Sequence, residues 1–75
     1  MSGKENPWSK NRREAIQKVK ELIRVNEPVK NNRILALIDI ELGKTEKTAL
    51  SYLRTLQNAD FIKFDGDKET WSIKK

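Results

Sequence analysis

Between Gly43 and Asn58 the side chains able to make strong polar contacts recur at helical intervals: Lys47, Ser51, Arg54 and Asn58. On an α-helix these four share one stripe, because residues three and four apart lie above one another. Together they offer an ammonium, a hydroxyl, a guanidinium fork and an amide, with no carboxylate among them. Such a set suits phosphate oxygens and base edges, which accept the hydrogen bonds these groups donate. Lys44, Thr45 and Thr48 stand at the N-terminal end of the same run, where a helix start favours an anion. The chemistry on offer is recognition rather than bond making.

Bond making finds little support elsewhere. The chain contains neither histidine nor cysteine, so the commonest general base and the thiolate metal ligands are both missing. Its carboxylates sit outside any glycine loop or nucleophile motif. Asp65-Gly66-Asp67 has the alternation that opens a calcium loop but not the closing glutamate of one. No catalytic residue, metal, cofactor or small-molecule ligand is expected.

Other elements must hold the stripe in place, and 75 residues are enough for one domain. Ala15, Ile16, Val19, Leu22 and Ile23 form one face of a helix. Asn11-Arg12-Arg13-Glu14 has the spacing of a capping box, which places the helix start near Asn11. Arg12 and Arg13 then lie at that start, where they can run along a phosphate backbone. Pro7 disfavours helix at Asn6, so residues 1–8 read as a flexible tail and 9–75 as the domain.

Asn26-Glu27-Pro28 ends the first helix, and Asn31 or Asn32 caps a second over about Arg33 to Leu42. That helix carries Ile34, Leu35, Leu37, Ile38, Ile40 and Leu42, more apolar surface than one face needs, which predicts packing on two sides. Gly43 supplies the left-handed residue at its C-terminus. Thr45 caps a third helix over 45–58, with Ala49, Leu53 and Leu56 inward and Leu50 and Tyr52 half exposed at the flanks.

After Asp60 the period changes from 3.6 to 2. Ile62, Phe64, Trp71 and Ile73 alternate with polar residues around Asp65-Gly66-Asp67-Lys68, a turn signal between two strands. A two-stranded hairpin is marginal alone, so its apolar face must lie on the helices.

Three helices, a glycine turn and a hairpin resemble the winged helix-turn-helix DNA-binding family. The resemblance rests on the run from Leu42-Gly43-Lys44-Thr45 through Thr48-Ala49-Leu50 to Leu53-Arg54-Thr55-Leu56, followed by Phe61-Ile62, and it spans about residues 11 to 74. The pattern is most similar to small stand-alone winged helix proteins of archaea and their plasmids or viruses. Asp60 departs from it where the family often has glycine, and Asp39 where it often has a small residue. Z-DNA-binding members carry Asn and Tyr on the third helix where this chain has Leu50 and Arg54, so Trp71 reads as core.

The resemblance implies an α+β fold: a three-helix helix-turn-helix core with a C-terminal two-stranded β-hairpin wing. It also implies binding of double-stranded DNA with helix 45–58 in the major groove, as a transcriptional regulator or a chromatin- or plasmid-associated protein. The alternative is a protein-interaction winged helix in a larger transcription, replication or membrane-remodelling complex.

Charge favours the first reading. The net charge is +5, and residues 1–30 hold eight basic side chains against four acidic ones. A basic balance attracts polyanions. The hairpin tip is acidic at Asp65, Asp67 and Glu69, so Lys68 alone offers a cation there and the wing is expected to touch DNA weakly. The longest apolar run, Ile34 to Ile38, is far short of the roughly 20 residues of a membrane span. A cytoplasmic monomer or weak homodimer follows as the expectation, nucleoid-associated in a prokaryote.

Overall fold

The computed structural model describes residues 7–75, with side chains from Asn11 onward. The first helix, α1, spans Pro7–Asn26 and so begins a full turn before Asn11. Proline suits a first helical position, since its fixed φ is helical and its missing N–H would have had no partner there. Asn11 therefore lies inside α1, and the capping-box spacing is not used as a cap. The tail placed at 1–8 is corrected at Pro7 and Trp8, which are helical; residues 1–6 lie outside the described residues.

Two further helices follow, α2 (Asn31–Leu42) and α3 (Glu46–Asn58), together with the strands β1 (Val29–Lys30), β2 (Ile62–Asp65) and β3 (Thr70–Ile73). The fold is α+β, and the described residues form three helices and one antiparallel sheet of order β1-β3-β2. The expected hairpin is present, with Ile62 opposite Ile73 and Phe64 opposite Trp71. It is joined by a third strand that the alternation did not foretell, since Val29 pairs with Trp71 and Lys30 with Thr70. Two residues are too few for period-2 patterning to register.

The sheet is tied to the helices through Asn31. Its backbone N–H donates to the Glu69 carbonyl at 2.8 Å, and its side-chain Oδ1 accepts from the Trp71 indole N–H at 3.0 Å. Neither Asn31 nor Asn32 is the N-cap of α2. Lys30 holds that position without a side-chain cap, because the hairpin backbone takes one of the donors a cap would have satisfied. Nearby, the Glu27 carboxylate accepts from the Ile73 N–H at 3.0 Å. It stands in register where β1 would continue if Pro28 did not interrupt it.

The buried face of α1 is Ala15, Val19 and Ile23; α2 adds Ile34 and Ile38, α3 adds Ala49, Tyr52, Leu53 and Leu56, and the sheet adds Val29, Ile62 and Trp71. Each fully buried aliphatic side chain contributes about 1.5–3 kcal/mol, so one small core holds all six elements. Three expectations change. Tyr52 is 5% exposed rather than half exposed. Ile40 is 75% exposed, so α2 is not covered on both sides. Phe64 remains 39% exposed although it packs against Trp71, the rings tilted by 49° with centroids 4.7 Å apart.

Among the described residues three adopt positive φ. Gly43, at 66°, ends α2 and donates its N–H to the Asp39 carbonyl, as the turn signal required. Asp60, also at 66°, follows α3. The Asp60 N–H bonds the Gln57 carbonyl and the Phe61 N–H the Leu56 carbonyl, a Schellman pair built on aspartate where glycine would be unstrained. Glu69, at 55°, closes the hairpin loop in place of Gly66.

These two helix ends should respond oppositely to substitution in urea unfolding at constant m-value. A Cβ at Gly43 would meet nothing within 4 Å, so backbone strain alone sets the cost of Gly43→Val, about 1–3 kcal/mol. Asp60→Gly should stabilise by roughly 0.5 kcal/mol, the relieved strain exceeding the added unfolded-state entropy. A stabilised Gly43→Val would mean the turn lies elsewhere. Asn31→Ala leaves the Trp71 indole N–H without its acceptor and should cost about 1–2 kcal/mol; adding Trp71→Phe should then cost less than it does in the unaltered protein.

Candidate functional site

The helix α3 is oriented by what it buries. With Ala49, Tyr52, Leu53 and Leu56 in the core, Lys47, Ser51, Arg54 and Asn58 all stand exposed on the outward side. Thr45 opens the helix, its hydroxyl accepting from the Thr48 N–H at 3.4 Å in the N-cap manner. Glu46 lies in the first turn, where the helix dipole favours a negative charge. Leu50 is 41% exposed beside the stripe.

An open cleft of about 560 Å³ lies between the N-terminal part of α1, the 43–45 turn and α3. Its walls are Asn11, Arg12, Lys44, Lys47, Thr48, Ser51 and Tyr52. Three of these are cations, three carry hydroxyls, and none is a carboxylate. Cations in an open cleft raise the local concentration of anions. Arg54 and Asn58 lie further along the outward side of α3.

Arg12 is the residue the sequence placed least well. It belongs to the second turn of α1, not to its start, and it reaches across to α3. Its Nη2 lies 3.4 Å from both Ser51 Oγ and Thr55 Oγ1, and its guanidinium carbon is 5.6 Å from the centre of the Tyr52 ring. The Thr55 hydroxyl donates to the Ser51 carbonyl at 3.0 Å, which leaves its lone pairs for Arg12. A signal for this was available. Arg12 continues the stripe Ala15, Val19, Ile23 by a step of three, so it points toward the elements that α1 packs against.

The remaining sites separate. Arg13 is exposed on α1 and does not line the cleft. Lys68 lines a different cleft, with Lys63, Phe64, Asp65 and Asp67, which shares no residue with the first. At the hairpin tip the Asp65 carboxylate accepts from the backbone N–H groups of Asp67 and Lys68, at 2.9 and 3.3 Å. Asn11, read as a helix cap, is instead a wall of the first cleft.

Among the described residues no group of three or more carboxylates could hold a metal ion, and no helix is long and apolar enough to cross a membrane. Comparison with known protein families, with characterised proteins and with solved structures finds no match.

The outward residues of α3 carry no part of the core, so removing them should leave the fold intact. Lys47→Ala and Arg54→Ala are each expected to change unfolding free energy by no more than about 0.5 kcal/mol. A larger loss in thermal or urea unfolding would assign these side chains a packing role.

Proposed function

We propose that the protein binds double-stranded DNA as a non-catalytic winged helix-turn-helix module, with α3 in the major groove. The observation that carries this reading is the acid-free cleft at Arg12, Lys44 and Lys47, continued along α3 by Arg54 and Asn58. A major groove about 12 Å wide admits one helix. Lys44 and Lys47, near the N-terminus of α3, are placed for phosphates, while Ser51, Arg54 and Asn58 are placed for base edges. Arg13 extends the cationic surface along α1. The acidic tip contributes little attraction, and Lys68 contacts DNA at most at the margin. A regulator of transcription or a chromatin- or plasmid-associated protein, cytoplasmic and acting as a monomer or weak dimer, fits such a module.

A second reading has one observation in its favour. Ile40, 75% exposed between Asp39 and Glu41 on α2, is a surface apolar residue in an acidic setting, as a protein-binding face would provide. Salt separates the two. If about four phosphates are contacted, log K against log salt should fall with a slope near about −3.6. Arg54→Ala should weaken binding to a preferred site by about 1–3 kcal/mol and to random duplex much less. Anisotropy titrations at two salt concentrations measure both quantities. Absence of binding to any duplex at low salt would transfer the case to the protein-interaction reading.

A further inference from the structure

We infer that the outer edge of β2 pairs with the same edge of a second copy of this chain, antiparallel and centred on Phe64. The inference does not rest on the DNA reading. Because β3 is the middle strand, β2 has a neighbour in its own sheet on one side only. Hydrogen bonds fix which of its backbone groups face the other side. The N–H of Lys74, next after β3, donates to the Phe61 carbonyl, so the even-numbered residues of β3 face β2. The Ile73 N–H donates to Glu27 instead, so the odd-numbered ones face β1. Ser72 stands opposite Lys63 and Thr70 opposite Asp65, so Lys63 and Asp65 turn their backbone groups toward β3. Phe64 therefore turns its N–H and C=O outward. Such groups on an edge strand are a template for a further strand.

Charge selects the partner and the register. Lys63, Phe64 and Asp65 are all exposed, and Lys63 and Asp65 project from the face opposite Ile62. A lysine on an edge strand ordinarily blocks pairing. Here a two-fold axis through Phe64 sets Lys63 of each copy opposite Asp65 of the other, so the block becomes two opposite-charge pairs. Moving the axis to Lys63 or to Asp65 sets like charges directly opposite, which is destabilising. In the Phe64 register each Phe64 N–H donates to the other copy's Phe64 carbonyl. The two rings meet on the face where each already packs against Trp71, and the contact covers an aromatic side chain that the fold leaves 39% exposed. Asp65 has an oxygen to give to it. The turn bonds from the Asp67 and Lys68 N–H groups both fall on Oδ1, which leaves Oδ2 for the lysine.

The test is the oligomeric state of the full chain, measured by sedimentation equilibrium up to millimolar protein. Thermal unfolding of each variant in dilute solution controls for folding. The wild-type chain should dimerise reversibly. Lys63→Glu sets like charges opposite each other twice and should weaken the dimer roughly tenfold or more. Asp65→Asn keeps the acceptor that the turn uses and loses the charge, and should weaken it roughly 2- to 30-fold. In dimers mixed from isotope-labelled and unlabelled chains, a nuclear Overhauser contact should join the Lys63 α-proton of one copy to the Asp65 α-proton of the other, since these two form a closely spaced pair without mutual hydrogen bonds.

A chain that stays monomeric at every concentration overturns the inference. So does a dimer that survives Lys63→Glu and is lost with Ile40→Glu, which places the contact on α2. A dimer lacking the contact between Lys63 and Asp65 overturns it as well. Each of these outcomes leaves duplex binding, measured separately, where it stood.

Discussion

The bond between Asn31 and Trp71 is the constraint on which the rest of the arrangement depends. A four-residue hairpin arm with one apolar face has little stability of its own, and here its face is small: Ile62 and Trp71 are buried while Phe64 stays partly outside. The Asn31 side chain accepts the indole N–H, and the Asn31 main chain donates to Glu69. One residue therefore satisfies a buried donor on the sheet and an orphan donor at the start of α2. The pairing of β1 with β3 and the Glu27 carboxylate on Ile73 N–H extend the same seam. With the hairpin seated this way, Trp71 closes the core and is unavailable as a stacking platform.

Seating the hairpin also frees α3. Since Ile62 and the α1 stripe cover one side of that helix, its four inward residues are committed to the core and its outward residues carry no packing. Thr45 and the Asp60 turn close its two ends, so its length is set by local chemistry and not by a ligand. The early start of α1 then determines what stands beside it. Beginning at Pro7, α1 already has a regular helical surface at Asn11 and Arg12, and that surface forms the second wall of the cleft. Starting at Asn11, the helix would have offered only a frayed end there.

The elements that packing dictates were legible in the sequence. The stripes of α1 and α3, the glycine at the end of α2, the Thr45 cap and the β2–β3 alternation all follow from periodicity and single-residue stereochemistry, and the outward stripe at Lys47, Ser51, Arg54 and Asn58 came with them. What escaped was set by tertiary partners. Asn31 has the composition of a cap and serves as an acceptor for Trp71, forty residues away. The Asn11-to-Glu14 spacing fits a capping box, yet Pro7 allows the helix to begin earlier. Tyr52 lies at the edge of the inward stripe, and only the cover of neighbouring elements decides that it is buried. The place of Arg12 over α3 follows from the early start of α1 at Pro7, which carries the stripe of Ala15, Val19 and Ile23 back by a further step of three.

Charge is distributed by the same economy. Several carboxylates are engaged close to home: Asp65 in its own turn, Glu27 on the sheet, Asp60 with Lys74 at 3.1 Å, and Glu21 with Arg24. The Arg24 guanidinium, hydrogen-bonded to Glu21, holds that carboxyl below the usual carboxylate range, and the pair is exposed on α1. By contrast, among the described residues Lys44, Lys47 and Arg54 make no ion pair. Surface charges are screened over about 8 Å at physiological salt, so an approaching polyanion responds to the local set and not to the net +5. The walls of the cleft carry Arg12, Lys44 and Lys47 and no carboxylate, while Glu46, on the first turn of α3, lies beside them and not in the wall.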